Sequence, residues 1–270
     1  MPTGGPKQPA KKGSSKTSNS RKKSVTGGVP AGRQVPWALI GAAAAVIVLV
    51  AVIAVSVFPK YQQKAAVDAF TPSASNPDPS TSIPGVVKMD YPAGQHVTAD
   101  QRVAYDKIPP FGGPHDQAWA NCMGTVYPKG LRTENAVHSL EHGAVWITYN
   151  PDKLTPQQIA ELATKVDGHP YMLMSPYPGM DSALSLQSWG HQLKLDSPTD
   201  PRVDEFITAL RLNDHTYPEV GASCSTDPSF FDPNNPPPFD PAPPGPDAIQ
   251  MNGKGAEGNP TDQPMTGGNG

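Results

Sequence analysis

Residues 144–158 read Ala-Val-Trp-Ile-Thr-Tyr-Asn-Pro-Asp-Lys-Leu-Thr-Pro-Gln-Gln. The first six carry no charge and are rich in β-branched and aromatic side chains, the composition of a well-buried strand, and Asn150-Pro151 ends it. Thr155-Pro156-Gln157-Gln158 then opens a helix. Thr155 is the cap, Pro156 fits the first turn where no backbone donor is needed, Gln158 reaches back to the cap, and Gly168 closes the element. Working outward, Tyr171 to Ser175 and Ala183 to Leu195 alternate as strands around a turn at Pro176 to Asp181. Asp200-Pro201 caps a last helix with Val203, Phe206, Ile207 and Leu210 along one face. Strands interleaved with helices predict a small α/β or α+β domain, with the strand order left open.

Upstream of that domain, Trp37 to Phe58 runs without a charge and is dominated by Ala, Val, Ile and Leu. At about 1.5 Å per residue, a helix of that length crosses a hydrocarbon core of about 30 Å. A cleaved signal peptide has a shorter apolar stretch and a shorter charged region, so the segment reads as an uncleaved anchor. Residues 1–35 carry Lys7, Lys11, Lys12, Lys16, Arg21, Lys22, Lys23 and Arg33 and no acidic residue. The positive-inside rule keeps this tail in the cytoplasm and sends everything after the anchor across. The expected organisation is a disordered basic tail (1–35), a transmembrane helix (36–58), a linker (59–87), one extracytoplasmic domain (88–224) and a disordered Pro/Gly-rich tail (225–270). Outside the basic tail, 13 basic residues face 24 acidic ones, a formal charge of −11. That balance disfavours nucleic acid as a partner and mildly favours cations.

All seven histidines (96, 115, 138, 142, 169, 191 and 215) fall after the anchor. The densest group is His138-Ser139-Leu140-Glu141-His142-Gly143. In a short helix capped by Thr133 and ended by Gly143, the two imidazoles lie one turn apart on one face, which is ligand spacing for zinc or copper. The bland alternative is that they bond backbone or carboxylate groups beside the next strand. The same residues spell His-x-x-Glu-His, the inverted zinc-peptidase pattern with Glu141 as general base, although Gly143 and a strand follow at once where those enzymes continue a helix. No nucleophile elbow and no phosphate loop accompany it.

Pro109-Pro110-Phe111-Gly112-Gly113-Pro114-His115 forms a rigid turn that presents His115, and Cys122 and Met123 follow closely. Cys122 and Cys224 are the two cysteines of an exported chain, and read as a disulfide closing a loop of about 100 residues, a contribution on the order of 4 kcal/mol. Copper ligation by Cys122 is the alternative. Met172 and Met174, two apart in a strand, read as core, whereas Met180 and Met123 are candidate soft ligands for copper.

The ordered set Pro109-Pro110-x-Gly-Gly-Pro-His115, Cys122, Tyr127, Val137-His138-Ser-Leu-Glu141-His142-Gly143-Ala-Val, Pro176 to Pro178, Leu186 and Trp189-Gly190 resembles the family catalogued as domain of unknown function 3105. The resemblance covers about residues 90–213, and members are often actinobacterial proteins with a basic N-terminus and one membrane anchor. It implies that His115, Cys122, His138, Glu141 and His142 converge, and Pro218-Glu219-x-Gly-Ala-x-Cys224 resembles the end of such members, which supports the disulfide. It supplies no activity.

Three functions remain in view. The first is a membrane-anchored cell-envelope protein whose outer domain binds copper or zinc through His115, His138 and His142, with Glu141 orienting them or serving as fourth ligand and Met123 or Met180 joining for copper. The second is a structural or partner-binding module with no metal, engaging a membrane-protein or cell-envelope partner. The third is a metal-dependent hydrolase using Glu141.

Overall fold

The computed structural model describes residues 36–258. The basic tail of 1–35 and the last residues, 259–270, lie outside the described residues. Two compact units divide at Ile53 and Ala54, and the second holds the sheet domain. The first described element is α1, Trp37–Asp68, and its stretch Trp37–Gln62 is long and apolar enough to cross a membrane. The helix therefore outruns the expected boundary at Phe58. Pro59 lies within it, and ten residues assigned to a linker continue it.

The rest of the expected linker is not a spacer either. A 3-10 turn at Pro79–Ser82 buries Pro79 and Ser80, and Ile83, Phe70 and Val86 join the domain's apolar core. Asp78 ties this segment down through Lys88 (2.6 Å) and His191 (3.1 Å). The Ala-Ser-Pro composition concealed a few apolar anchors that suffice to seat the chain.

The domain is mixed α+β. Its strands are β1 (Val87–Lys88), β2 (His96–Val97), β3 (His115–Asp116), β4 (Met123–Val126), β5 (Val145–Tyr149), β6 (Met172–Pro176), β7 (Leu184–Ser188) and β8 (His191–Leu195). Its helices are α2 (Thr133–Glu141), α3 (Pro156–Thr164) and α4 (Arg202–Leu210). Six strands form one sheet in the order β1-β8-β7-β5-β6-β4. Strand β6 runs parallel to both β5 and β4, while β5-β7, β7-β8 and β8-β1 are antiparallel. The stretch 144–158 sits at the centre of this arrangement. Strand β5 is flanked on both sides, and α3 is the crossover that returns the chain to the parallel β6, as a parallel pair requires.

Because side chains alternate across a strand, β5 and β6 feed two cores. Val145, Ile147, Met172 and Met174 face one side, where Leu162 of α3 and Val203, Phe206 and Leu210 of α4 cover them. Trp146 and Leu173 face the other, against Val137 and Leu140 of α2 together with Phe111, Trp189 and Phe231. Met172 and Met174 are thus core, as expected. Thr155 makes the full capping box: its hydroxyl accepts from Gln158 N, and Gln158 Oε1 accepts from Thr155 N. Helix α2 starts one residue earlier than the cap assigned to Thr133. Arg132 occupies that position without a side-chain cap bond, Thr133 is the first helical residue, and His142 is the C-cap.

The domain does not end at Cys224. Residues 225–258, expected to be a disordered tail, are laid over its second core and over a small third cluster of Val97, Val103 and Ile249. Phe231 is buried there, Pro237 O accepts from Arg132 N (2.7 Å), Ile249 pairs with Val103, and Gly258 N donates to His96 O (3.0 Å). A Pro-rich segment has few backbone donors and no periodicity, so a handful of apolar residues spaced along it carry the packing.

Candidate metal centre

Two local structures bring the histidines together. A short parallel ladder pairs β2 with β3 and sets His96 directly beside His115, with Val97 beside Asp116. Helix α2 lies next to it and carries His138 and Glu141 three residues apart on the face it turns to that ladder. Gly143 then ends the helix at φ +88°, and a Cβ there would stand 2.7 Å from the Tyr217 ring, so the chain turns sharply beside that ring only because residue 143 has no side chain.

One ligand atom from each of His96, His115, His138 and Glu141 lies within 4.8 Å of the others, and all four residues are buried. A tetrahedral ion with bonds of about 2.0–2.1 Å separates its ligands by about 3.4 Å. Closing the set onto such an ion therefore means drawing ligand atoms together by up to about 1.4 Å. The imidazole centroids are 4.9 Å apart for His96 and His115, 5.1 Å for His96 and His138, and 4.7 Å for His115 and His138.

Hydrogen bonds fix which nitrogen faces inward. His115 Nδ1 sits 2.9 Å from Gly113 O, His138 Nδ1 2.6 Å from Asp116 O, and His142 Nδ1 2.8 Å from Ser223 O. A carbonyl can only accept, so each Nδ1 carries the proton and donates. Each Nε2 is left toward the cluster, the arrangement in which a backbone partner orients a metal-binding imidazole. Glu141 Oε1 accepts from Gly94 N at 2.8 Å. Its other oxygen, Oε2, pairs with His115 Nε2 at 2.9 Å, and neither side chain has any exposure.

Electrostatics follow from burial. Burial, reinforced by the charges of His115, His142 and His96, holds the His138 imidazole well below its ordinary pKa and so in the neutral form. Burial alone would do the same to His115, but the adjacent Glu141 carboxylate overcomes it and raises that ring above its ordinary value. Burial opposes ionisation of Glu141 as well, and His115 with the Gly94 amide prevails, keeping the carboxyl below the usual range.

A second group adjoins the first. His138, His142 and Glu219 also place one ligand atom each within 4.8 Å of one another, with His142 Nε2 3.0 Å from Glu219 Oε2. Trp119 packs its ring against both His138 and His142, and Trp189 lies edge-on to His115.

The sequence candidates are thus divided. His115, His138, Glu141 and His142 come together. Cys122 is bonded to Cys224 as expected, which removes its sulfur from the list of copper ligands. Met180 is buried beside Thr148, whose hydroxyl donates to its sulfur at 3.5 Å, and Met123 lies half-exposed on the edge strand β4 opposite Met172. Met180 thus packs in the second core from the loop between β6 and β7, and Met123 belongs to the sheet edge. His96 and Glu219 were not singled out from the sequence. No local spacing marks either, since His96 is 19 residues before its ladder partner, and only the strand pairing and the disulfide-anchored segment bring them in. His191 pairs with Asp78, and His169 and His215 are exposed.

Residues 96–226 match the model of the family described as "Protein of unknown function (DUF3105)". The sheet domain belongs to that family. All six ligand candidates of the two groups fall within the matched residues of this DUF3105 domain. No curated protein and no solved structure matches the chain.

Proposed function

We propose that this is a membrane-anchored cell-envelope protein whose DUF3105 domain, held outside the membrane, binds one divalent transition metal through His96, His115, His138 and Glu141. The observation that carries the reading is the convergence of four buried side chains, with one ligand atom from each of His96, His115, His138 and Glu141 within 4.8 Å of the others and the His115 and His138 rings oriented by backbone carbonyls. Three imidazoles and a carboxylate suit Zn(II) or Cu(II). With both cysteine sulfurs in the disulfide, Met180 in the core and Met123 on the sheet edge, the donor set is a poor match for Cu(I).

The placement outside the membrane rests on the apolar stretch Trp37–Gln62, the basic residues before it and the disulfide beyond it. The hydrolase alternative has less support. Glu141, the residue that would act as base, is fully buried, with one oxygen bound to Gly94 N and the other against His115. A general base needs a substrate proton within reach.

The test is elemental analysis of the full chain in detergent after loading with zinc and with copper and removing loosely held ions. Wild type is expected to retain about one equivalent of metal. His138→Ala and His115→Ala are expected to lose it while keeping the circular dichroism of the fold. No retained metal in the wild type would replace this reading with that of a partner-binding module whose polar cluster is structural.

A further inference from the structure

Resting on the metal reading above, we infer that His138, His142 and Glu219 form an outer seat through which the ion reaches the inner quartet, with His138 passing it from one to the other. The inner ligands are nearly sealed: His115 and Glu141 have no exposure, and His138 and His96 have 4% and 5%. Glu219, at 20% exposure, is the most open side chain of the two groups, and the His142 ring behind it is 4% exposed. A hydrated cation therefore meets a carboxylate first, and a neighbouring imidazole next. That order suits stepwise loss of water, since a carboxylate attracts the charge at a distance and the nitrogen then replaces a bound water.

The two seats are successive positions of one ion and not a two-metal centre. His138 has its Nδ1 engaged with Asp116 O, so a single nitrogen lone pair is available, and it serves one ion at a time. That ring lies midway, with its centroid 4.7 Å from His115 on one side and 4.7 Å from His142 on the other. Trp119 forms an apolar wall along the His138 and His142 rings, which directs an ion from one to the other. The outer seat is held in place from two directions. Glu219 N donates to Glu141 O (3.1 Å), and Ser223, whose carbonyl orients His142, is next to the disulfide-bonded Cys224. The ligand class is a first-row divalent cation taking nitrogen and oxygen donors.

The experiment follows Co(II), a coloured stand-in for zinc, binding to the full chain in detergent by stopped-flow absorbance, with removal by a chelator as the reverse reaction. Glu219→Gln keeps the shape and the backbone bond to Glu141. It is expected to reach the wild-type stoichiometry and final spectrum, while loading and removal both slow by about tenfold or more. His142→Gln is expected to behave in the same way, which guards against a peculiarity of one variant. His115→Ala, which touches the inner seat alone, is expected to lose tight binding at equilibrium while its first rapid phase survives. Loading of Glu219→Gln at the wild-type rate would overturn the outer seat and leave the inner site intact. Loss of the ion at equilibrium in Glu219→Gln would make Glu219 a resident ligand and overturn the relay. No cobalt uptake by the wild type would remove both readings together.

Discussion

Single residues in this domain draw their properties from what surrounds them. His191 and His138 are both buried and both donate Nδ1 to a backbone carbonyl, yet His191 finds Asp78 with its second nitrogen and His138 faces three other imidazoles. The first is a tether and the second a candidate ligand. Asp78 permits a prediction at this scale. Burial alone would raise its carboxyl, but hydrogen bonds from His191, Lys88 and Ser80 overcome that and hold it well below the usual carboxylate range. A carboxyl with a depressed folded pKa contributes stability that is present above its unfolded value, near 3.8, and is lost as pH falls through the folded value. Asp78→Asn is therefore expected to destabilise the protein by about 1–3 kcal/mol at pH 7, with the deficit shrinking below pH about 4. Urea unfolding of both proteins at pH 7 and pH 3 checks it, and a deficit that does not change with pH would mean the carboxylate charge is not what anchors the segment.

At the scale of elements, the helix of residues 156–164 was legible because its signals are local. A cap, a proline and a glutamine within four residues specify the start without reference to the rest of the chain, and the structure shows the full reciprocal pair of bonds. Thr155→Ala removes the side-chain acceptor and is expected to cost about 1 kcal/mol, read as a shift of the denaturant midpoint at unchanged slope. The two-residue ladder of His96–Val97 with His115–Asp116 is the opposite case. It has no periodicity to read, and its pairing partner lies beyond a turn of prolines and glycines. Yet it supplies half of the inner quartet. Helix α2 was visible as a helix, but not the identity of what it faces, since spacing places His138 and His142 on one face and says nothing of the other wall.

For the whole molecule, the segments before and after the family domain are part of its core. Residues 70–88 cover one side, and residues 225–258 close the other and reach His96 through Gly258. Truncation after Thr226 removes two large buried side chains, Phe231 and Ile249. At about 1.5–3 kcal/mol each, their loss is expected to lower the melting temperature by about 10 °C or more. Differential scanning calorimetry of the truncated chain checks this, and an unchanged transition would return the segment to the status of a passive tail.

The sequence by itself determined the features that depend on neighbouring residues: an apolar run long enough to cross a membrane, the capped helix and the central strands, and it favoured a disulfide between the two cysteines over copper ligation. It also marked His115, Cys122, His138, Glu141 and His142 as a group through the family resemblance. The tertiary structure alone decided that His96 and Glu219 join them, that Met123 stays on the sheet edge and Met180 in the core, and that two low-complexity flanks pack against the domain. The physical reason is the same in each case. A ligand set is a property of distances in space, and strand pairing and a disulfide bring together residues whose separation along the chain carries no period to read.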